Sequence, residues 1–487
     1  MSIADAYDSH DALGLAALVA TGEVTPAELL EEALGRAEAL NPKLNALTLM
    51  RPDTARGHVA AGLPDGPLKG VPFLLKDLGA EAVDFPSNSG SRLAAETTAP
   101  ADSHFHERCR AAGLVTFGRT TSPEFGIGPA TEAAVYGGPT RNPWNLERTS
   151  GGSSGGSGAA VAAGILPAAH ASDGAGSIRI PAASCGLFGV KPTRGLMPNG
   201  PLKGEGWGGL ATSGFVSRTV RDQAALLDAT AGADLGAPYA APELGGSFSD
   251  AIKAPPRRLR IGFLTTTLTG LPIHADNRAA VEAAMKTLEA LGHRVEAAPL
   301  PDADTDGVTV GVANMIACGT AEGIRSLCAA KGIPLEEAPI ESVARGALAV
   351  AEGISGGDAF VEIARLHAYG RDMARWMQPF DAIVTATLAE PPAEVGRFAH
   401  VTEDFMDYRL GPKGVYAYSP FTAAFNASGQ PAASLPLFWN DHGLPIGVHV
   451  AMPFGRDLEL MALSAELEQA MPWASRRPPV HAANLRT

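Results

Sequence analysis

Between Arg141 and Gly195 the chain reads RNPWNLERTSGGSSGGSGAAVAAGILPAAHASDGAGSIRIPAASCGLFGVKPTRG, and from Thr149 to Val190 only Asp173 and Arg179 are charged. Two glycine-and-serine clusters stand in this stretch, Gly151 to Gly158 and Gly174 to Ser177. Glycine lets backbone come close to a ligand or adopt positive φ, and serine supplies hydroxyls, so the composition suits a site made of main chain and hydroxyl groups. Ser177 follows three tiny residues, Gly174, Ala175 and Gly176. A serine so placed can sit on a tight turn with its hydroxyl exposed while the amides before it converge on one point. That point is an oxyanion hole, where each donor is worth about 3 kcal/mol in the transition state of acyl transfer. Ser177 is the candidate nucleophile, with Asp173 and Arg179 placed to pair and brace the turn.

A serine hydroxyl needs a base. None of the 12 histidines stands in a setting that singles it out, and the G-x-S-x-G elbow is absent around Ser177. His170 is the nearest, and at the end of an apolar run it reads as a satisfied core residue. Lysine is the other candidate. With a pKa near ~10.4 an exposed lysine is neutral only about once in 2,500 molecules at pH 7, a penalty of roughly 4.6 kcal/mol that desolvation can remove. Lys76 and Lys191 both follow apolar runs and are rivals for the role. The Gly151 to Gly158 run leads straight into an apolar, helix-like segment, so it is not a linker, and no Lys-Ser/Thr follows it to make a phosphate cradle.

LLKDL around Lys76, GGSSGGSGAAVAAG around Ser153 and DGAGSIRIPAASCGLFGVKPTRG around Ser177 resemble the amidase signature family, as do RNPWN at Arg141, FNASGQPAASLP from Phe425 and PWASRRPP from Pro472. The likeness runs from about residue 66 to 479. It implies an amide-bond hydrolase with a Ser-cisSer-Lys triad: Ser177 as nucleophile, Ser153 as bridging serine and Lys76 as general base, with Lys191 structural. It further implies an oxyanion hole from the backbone of Gly174, Ala175, Gly176 and Ser177, supported by Asp173 and Arg179, and an acyl-enzyme cleared by water. The implied fold is α/β, a central mixed β-sheet flanked by helices on both faces. Ala175, Thr121, Ala386 and His449 depart from the residues usual in that family, glycine, asparagine, proline and glutamine. The alanine in DGAGS, the run RNPWNLERTSGGSSGGSGAAVAA and a cysteine in the helical insertion resemble the 6-aminohexanoate-cyclic-dimer hydrolases, a likeness that implies a place for Cys318 at the substrate. Aryl or short-chain acylamidases are an alternative. So is the glutaminase subunit of a tRNA-dependent amidotransferase, against which Ile180 counts, because glutamine is common there.

The elements that must position these groups are partly legible. Thr25-Pro26-Ala27-Glu28 opens a helix with a capping box, the second of two at the start, and Asn41-Pro42 should end it. Val71 to Leu75 reads as a buried strand carrying Lys76 and Asp77 at its end. Leu259 to Thr265, Asn277 to Leu291 and His293 to Ala297 form a βαβ unit, which requires parallel strands. Residues 304 to 375 are mainly helical, and one amidase domain spans 1–487, with core motifs at about 66–215 and 420–479 and a helical insertion at about 300–375 shaping the pocket. Acidic and basic residues number 52 and 38, a formal charge of −14, which repels phosphate backbones and anionic membranes. The expected partner is a small-molecule amide, with no nucleic acid, no membrane, no cofactor and no metal, and with a homodimer allowed. Four scattered cysteines and no signal peptide fit a cytoplasmic protein. His104 and His106 face apart on a helix and are expected to be solvated; by residue type alone Cys318 and Cys328 read as buried small hydrophobes, with pocket lining the alternative for Cys318.

Overall fold

The computed structural model describes residues 2–486. Local capping places the first helices. Ser2 accepts from the amide of Asp5 and Asp11 from that of Gly14, so two short helices, Ile3–Ser9 and Ala12–Thr21, precede the helix Pro26–Leu44 where the sequence reading has one. Thr25 and Glu28 make both halves of the capping box, and Leu29, Leu30, Ala33, Ala37 and Leu40 form the buried stripe. Asn41-Pro42 does not end this helix. It runs to Leu44, where Asn45 in the left-handed conformation closes it and returns its amide to Asn41. Proline lacks only its own donor, and one missing bond in the last turn can be tolerated there.

Three sheets follow. β1 (Leu47–Thr48), β2 (Pro72–Lys76) and β3 (Val115–Thr120) form a small sheet ordered β1-β3-β2, with β2 parallel to β3 and β1 antiparallel to it. β4 (Arg141–Asn142) and β5 (Asn145–Thr149) make a hairpin. The large mixed sheet contains β6 (Ala168–Asp173), β7 (Phe188–Lys191), β8 (Thr212–Ser217), β9 (Arg260–Phe263), β10 (Arg294–Ala297), β11 (Ala382–Ala386), β12 (Ala432–Trp439) and β13 (Pro445–Ala451). Their order is β10-β9-β11-β13-β12-β7-β8-β6. β9 is parallel to β10 and β11, and β9 and β10 are joined by the helix Ala275–Ala290, which is the βαβ unit expected from the sequence. The remaining pairs are antiparallel, and helices cover the sheet.

β2 and β6 each lie at the edge of their sheet and pack together. No ladder joins them; the amide of Lys76 donates to Nδ1 of His170 instead (3.1 Å). The strand bearing Lys76 is thus beside the strand leading to Ser177 in space but belongs to another sheet. Beyond β10, the helix Thr305–Lys331 packs on both Ser342–Glu352 and Gly356–Met377, and Thr305–Lys331 and Gly356–Met377 pack on the helix Thr422–Ser428. Both ends of the chain close on one segment: Tyr7 and Arg36 donate to the carbonyls of Ile165 and Gly164, and the amide of Ala482 to that of Ala163. Among the described residues no helix is long and apolar enough to cross a membrane.

Candidate active site

β2 is buried along its whole length, as a strand covered on both faces must be, so Lys76 arrives fully enclosed. Its Nζ donates to Oγ of Ser153 (2.7 Å) and of Ser172 (2.9 Å). Burial pulls its pKa down from 10.5 to about 7, opposed by the charge of Asp173. Lys191 is equally buried and also drawn down to about 7, by burial and then by Arg179. The two lysines are alike in basicity and differ in reach. The Nζ of Lys191 donates to the carbonyl of Pro192, and its strand β7 is flanked by β8 and β12.

Ser153 comes from the first glycine cluster, and the structure explains that composition by close approach. A Cβ on Gly152 would stand 2.6 Å from the amide of Ala130, on Gly155 2.3 Å from Oγ1 of Thr131, and on Gly156 2.4 Å from the amide of Thr121. The loop after β3 packs directly on this main chain, where no side chain would fit. The Gly152–Ser153 peptide is cis. The neighbouring serines fasten the helix Gly155–Ala162 and its approach to β6: Ser154 Oγ accepts from the amide of Ser172, and Ser157 Oγ donates to the carbonyl of His170.

Ser177 is half-buried on the turn between β6 and the helix Arg179–Cys185, as are Ser172 and Ala175. Its carbonyl accepts from the amide of Ser154 (3.3 Å), so the two serine clusters touch through main chain. Among the described residues its hydroxyl makes no hydrogen bond, to Ser153 or to any other group. The turn is braced from within. Asp173 and Arg179 form a fully buried pair, with Arg179 Nε 2.9 Å and Nη2 3.0 Å from the two carboxylate oxygens. Asn426 donates to the carboxylate and to the backbone carbonyl of Asp173, and accepts from Arg179. Burial pushes the carboxyl of Asp173 up, but the charge and hydrogen bonds of Arg179 and the Asn426 amide outweigh it and hold the group well below the usual range.

One amide of this turn already has a partner. Gly176 stands at φ 129°, and its amide donates to Asp173 Oδ1 at 2.6 Å, which makes it part of the brace. Asp173 cannot hold the turn without taking amides from it, and that of Ile178 is also drawn in (3.2 Å). The amides of Gly174, Ala175 and Ser177 donate to no other described residue. His449 fits its place without glutamine: its Nε2 lies 3.0 Å from Arg179 Nη1, and burial keeps the ring's pKa well below the usual histidine value, so a neutral imidazole accepts there. Thr121 is also fully buried, its Oγ1 2.6 Å from that of Thr140.

Ser172 and Asn426 were not singled out in the sequence. Ser172 had a signal, because it lies two residues after His170 on one strand face and both touch Lys76. Asn426 lies in a recognised motif but reaches the turn only through the fold. His170 is fully buried and donor to nothing; its Nδ1 accepts the Lys76 amide. His106 is buried, not solvated, because its helix lays it against Phe85, and His104 pairs with Asp234 (2.5 Å). Cys328 is buried as expected, while Cys318 is half-buried and packs with Ala321, Leu348 and Ala351. All four cysteines are unpaired.

Among the described residues one group has ligand-type side chains close enough for a metal, Glu124, Glu341 and His400 within 4.8 Å. Glu124 already accepts from Ser91 and from the amide of Glu341, joining the loop beside Ser153 to the insertion. A cleft of about 790 Å³ lined by Asn41, Asn45, Arg56 and Tyr136 contains none of the groups named above for the chemistry. The polar geometry, not cavity size, marks the site.

The Amidase family model matches residues 28–461. Over 478 residues, 96% of this chain and 96% of the relative, the sequence is 37% identical to the 6-aminohexanoate-cyclic-dimer hydrolase of Paenarthrobacter ureafaciens. The solved structure of 6-aminohexanoate cyclic dimer hydrolase complexed with substrate superposes with a TM-score of 0.90 at 35% identity, covering 98% of this chain and 99% of that one. A bacterial aryl acylamidase of the amidase signature family superposes at 0.86 with 29% identity, over 96% and 99%.

Proposed function

The chain belongs to the amidase signature family and is an amide-bond hydrolase closely related to 6-aminohexanoate cyclic dimer hydrolase, and from that premise we propose that it works through Ser177, Ser153 and Lys76 by way of an acyl-enzyme. The observation that carries this reading is the 2.7 Å contact between a fully buried Lys76 and Ser153. Near pH 7 about half of such lysines are neutral. The neutral amine takes the proton of Ser153 Oγ as Ser153 takes that of Ser177, whose hydroxyl turns toward it. Oγ of Ser177 bonds to the amide carbon, and the oxyanion is held by amides of Gly174, Ala175 and Ser177. As the C–N bond breaks, the relay returns the proton to the leaving amine. Water, deprotonated by the same relay, then cleaves the ester.

The substrate class we infer is small aliphatic amides, cyclic or linear 6-aminohexanoate oligomers among them, with Cys318 of the insertion near the substrate. This is supported by the activity for which the relatives are named. Aryl amides are the second reading, favoured by the likeness to the aryl acylamidase. The unpaired cysteines suit a reducing compartment, and a cytoplasmic setting is part of the proposal. A fluorophosphonate should label the peptide bearing Ser177, and Ser177→Ala should abolish hydrolysis of oligomers in a screen that includes aryl amides. Labelling elsewhere, or unchanged hydrolysis by the variant, refutes the mechanism.

A further inference from the structure

Residues 192–211 connect β7 to β8 and carry Trp207 in an unusual conformation. Trp207, Gly208 and Gly209 stand in succession at φ 56°, 69° and 79°. A bulky residue adopts left-handed backbone only where its surroundings demand it. The loop is clipped on all sides: the amide of Ala211 returns to Gly206 (3.1 Å), Arg194 Nε donates to the carbonyl of Gly209 (2.7 Å), and Asn426 Nδ2 to that of Leu210 (3.0 Å). Asn426 is also the residue that holds Asp173 under the nucleophile turn. One side chain therefore sets the position of Trp207 relative to Ser177.

The indole bridges two glycines. A Cβ on Gly174 would meet Cε3 and Cζ3 at 2.7 Å, and a Cβ on Gly319, in the helix Thr305–Lys331, would meet Cδ1 at 2.2 Å. Its six-membered ring lies against the main chain of the turn and its pyrrole edge against the insertion helix, next to Cys318. With both neighbours lacking side chains, nothing stands between the ring and the backbone at Gly174. The indole is half-buried, so part of it stays open to a ligand.

We propose that Trp207 is a specificity-determining wall of the substrate pocket, selecting amides that carry an unbranched methylene chain or an aryl ring beside the scissile bond, and that Gly319 is the vacancy that seats it. The proposal rests on Ser177 being the nucleophile. An apolar chain lying on the indole leaves water methylene by methylene, roughly fourfold in kcat/KM for each. The wild type should show that slope across acetyl, butyryl and hexanoyl p-nitroanilides.

In Trp207→Ala the hexanoyl substrate should lose at least tenfold more kcat/KM than the acetyl substrate, mainly through KM, and Trp207→Phe should restore most of the discrimination. Gly319→Ala, which displaces the ring without changing it, should flatten the slope in the same way. The overturning result is an equal loss on all chain lengths, carried by kcat, which would make Trp207 a support of the turn and nothing more. A discriminating slope that survives both Trp207→Ala and Gly319→Ala also overturns it. Short- and long-chain alkyl fluorophosphonates, read by mass on the Ser177 peptide, separate the two readings. Labelling of Ser177 without chain discrimination sinks only the wall, whereas absence of labelling sinks the nucleophile and the wall with it.

Discussion

Lys76 offers the sharpest test, because its role requires it to be neutral in a place that burial alone makes neutral. Its displacement from 10.5 to about 7 corresponds to about 5 kcal/mol, at about 1.4 kcal/mol per pH unit. A free lysine is neutral only about once in a few thousand molecules at pH 7, while this one is neutral in roughly half of them. The rate constant for fluorophosphonate labelling of Ser177 should therefore rise about tenfold per pH unit below 7, bend near 7 and level off above 8. Stability moves with the same proton. Folded Lys76 loses it near 7 and the unfolded residue near 10.5, so between those values the unfolded chain binds more protons, and the fold gains stability as pH rises. Below pH 7 the whole penalty is present.

Lys191 has the same lowered basicity and adds the same stability slope, so the two lysines can be separated only by combining the assays. Lys76→Met should remove both its share of the slope, read by urea unfolding at several pH values, and the labelling of Ser177. Lys191→Met should remove its share of the slope and leave the bend in labelling near 7. A bend that vanishes with Lys191 and persists without Lys76 would falsify the assignment of the base, whatever the distances.

Two further predictions concern the support of these groups. Asp173→Asn leaves Arg179 as an uncompensated buried charge and loosens the amides of Gly176 and Ile178, so we expect about 3–5 kcal/mol of destabilisation in urea; a loss under about 1 kcal/mol would mean that the pair does not brace the turn. Ser172→Ala removes one of two acceptors from Lys76 Nζ, and a net hydrogen bond of about 1 kcal/mol predicts a fall of roughly fivefold in kcat with little change in KM. A loss as complete as that in Ser153→Ala would instead put Ser172 in the proton relay.

Much of the site was legible because its signals are local. The Thr25 capping box, the buried run that ends in Lys76 and the six-residue spacing of Asp173 and Arg179 all depend on neighbours within a few residues. The family motifs named Lys76, Ser153 and Ser177 together, whereas the glycines, read as points where backbone approaches a ligand, prove to be points where it meets the loop 121–131 of the protein itself.

Local signals also misled. Asn41-Pro42 carries a stop that the fold overrides, since a terminal turn tolerates one missing donor. His106 was placed in solvent because periodicity says which face a residue is on and not what covers that face.

Sequence by itself determined which groups could do the chemistry, since residue type, spacing and burial pattern travel with the chain. It could not choose on physical grounds between two lysines that burial makes equally basic. What separates them in space is that the edges of two separate sheets meet, which brings Lys76 to Ser153 and Ser172 while Lys191 stays inside the large sheet. Tertiary structure likewise decided that the Gly176 amide belongs to Asp173, that Asn426 arrives from 253 residues away to hold it, and that Trp207 stands over Gly174. Each of these is a contact between segments distant in sequence, and such contacts are set by packing, which no local pattern encodes.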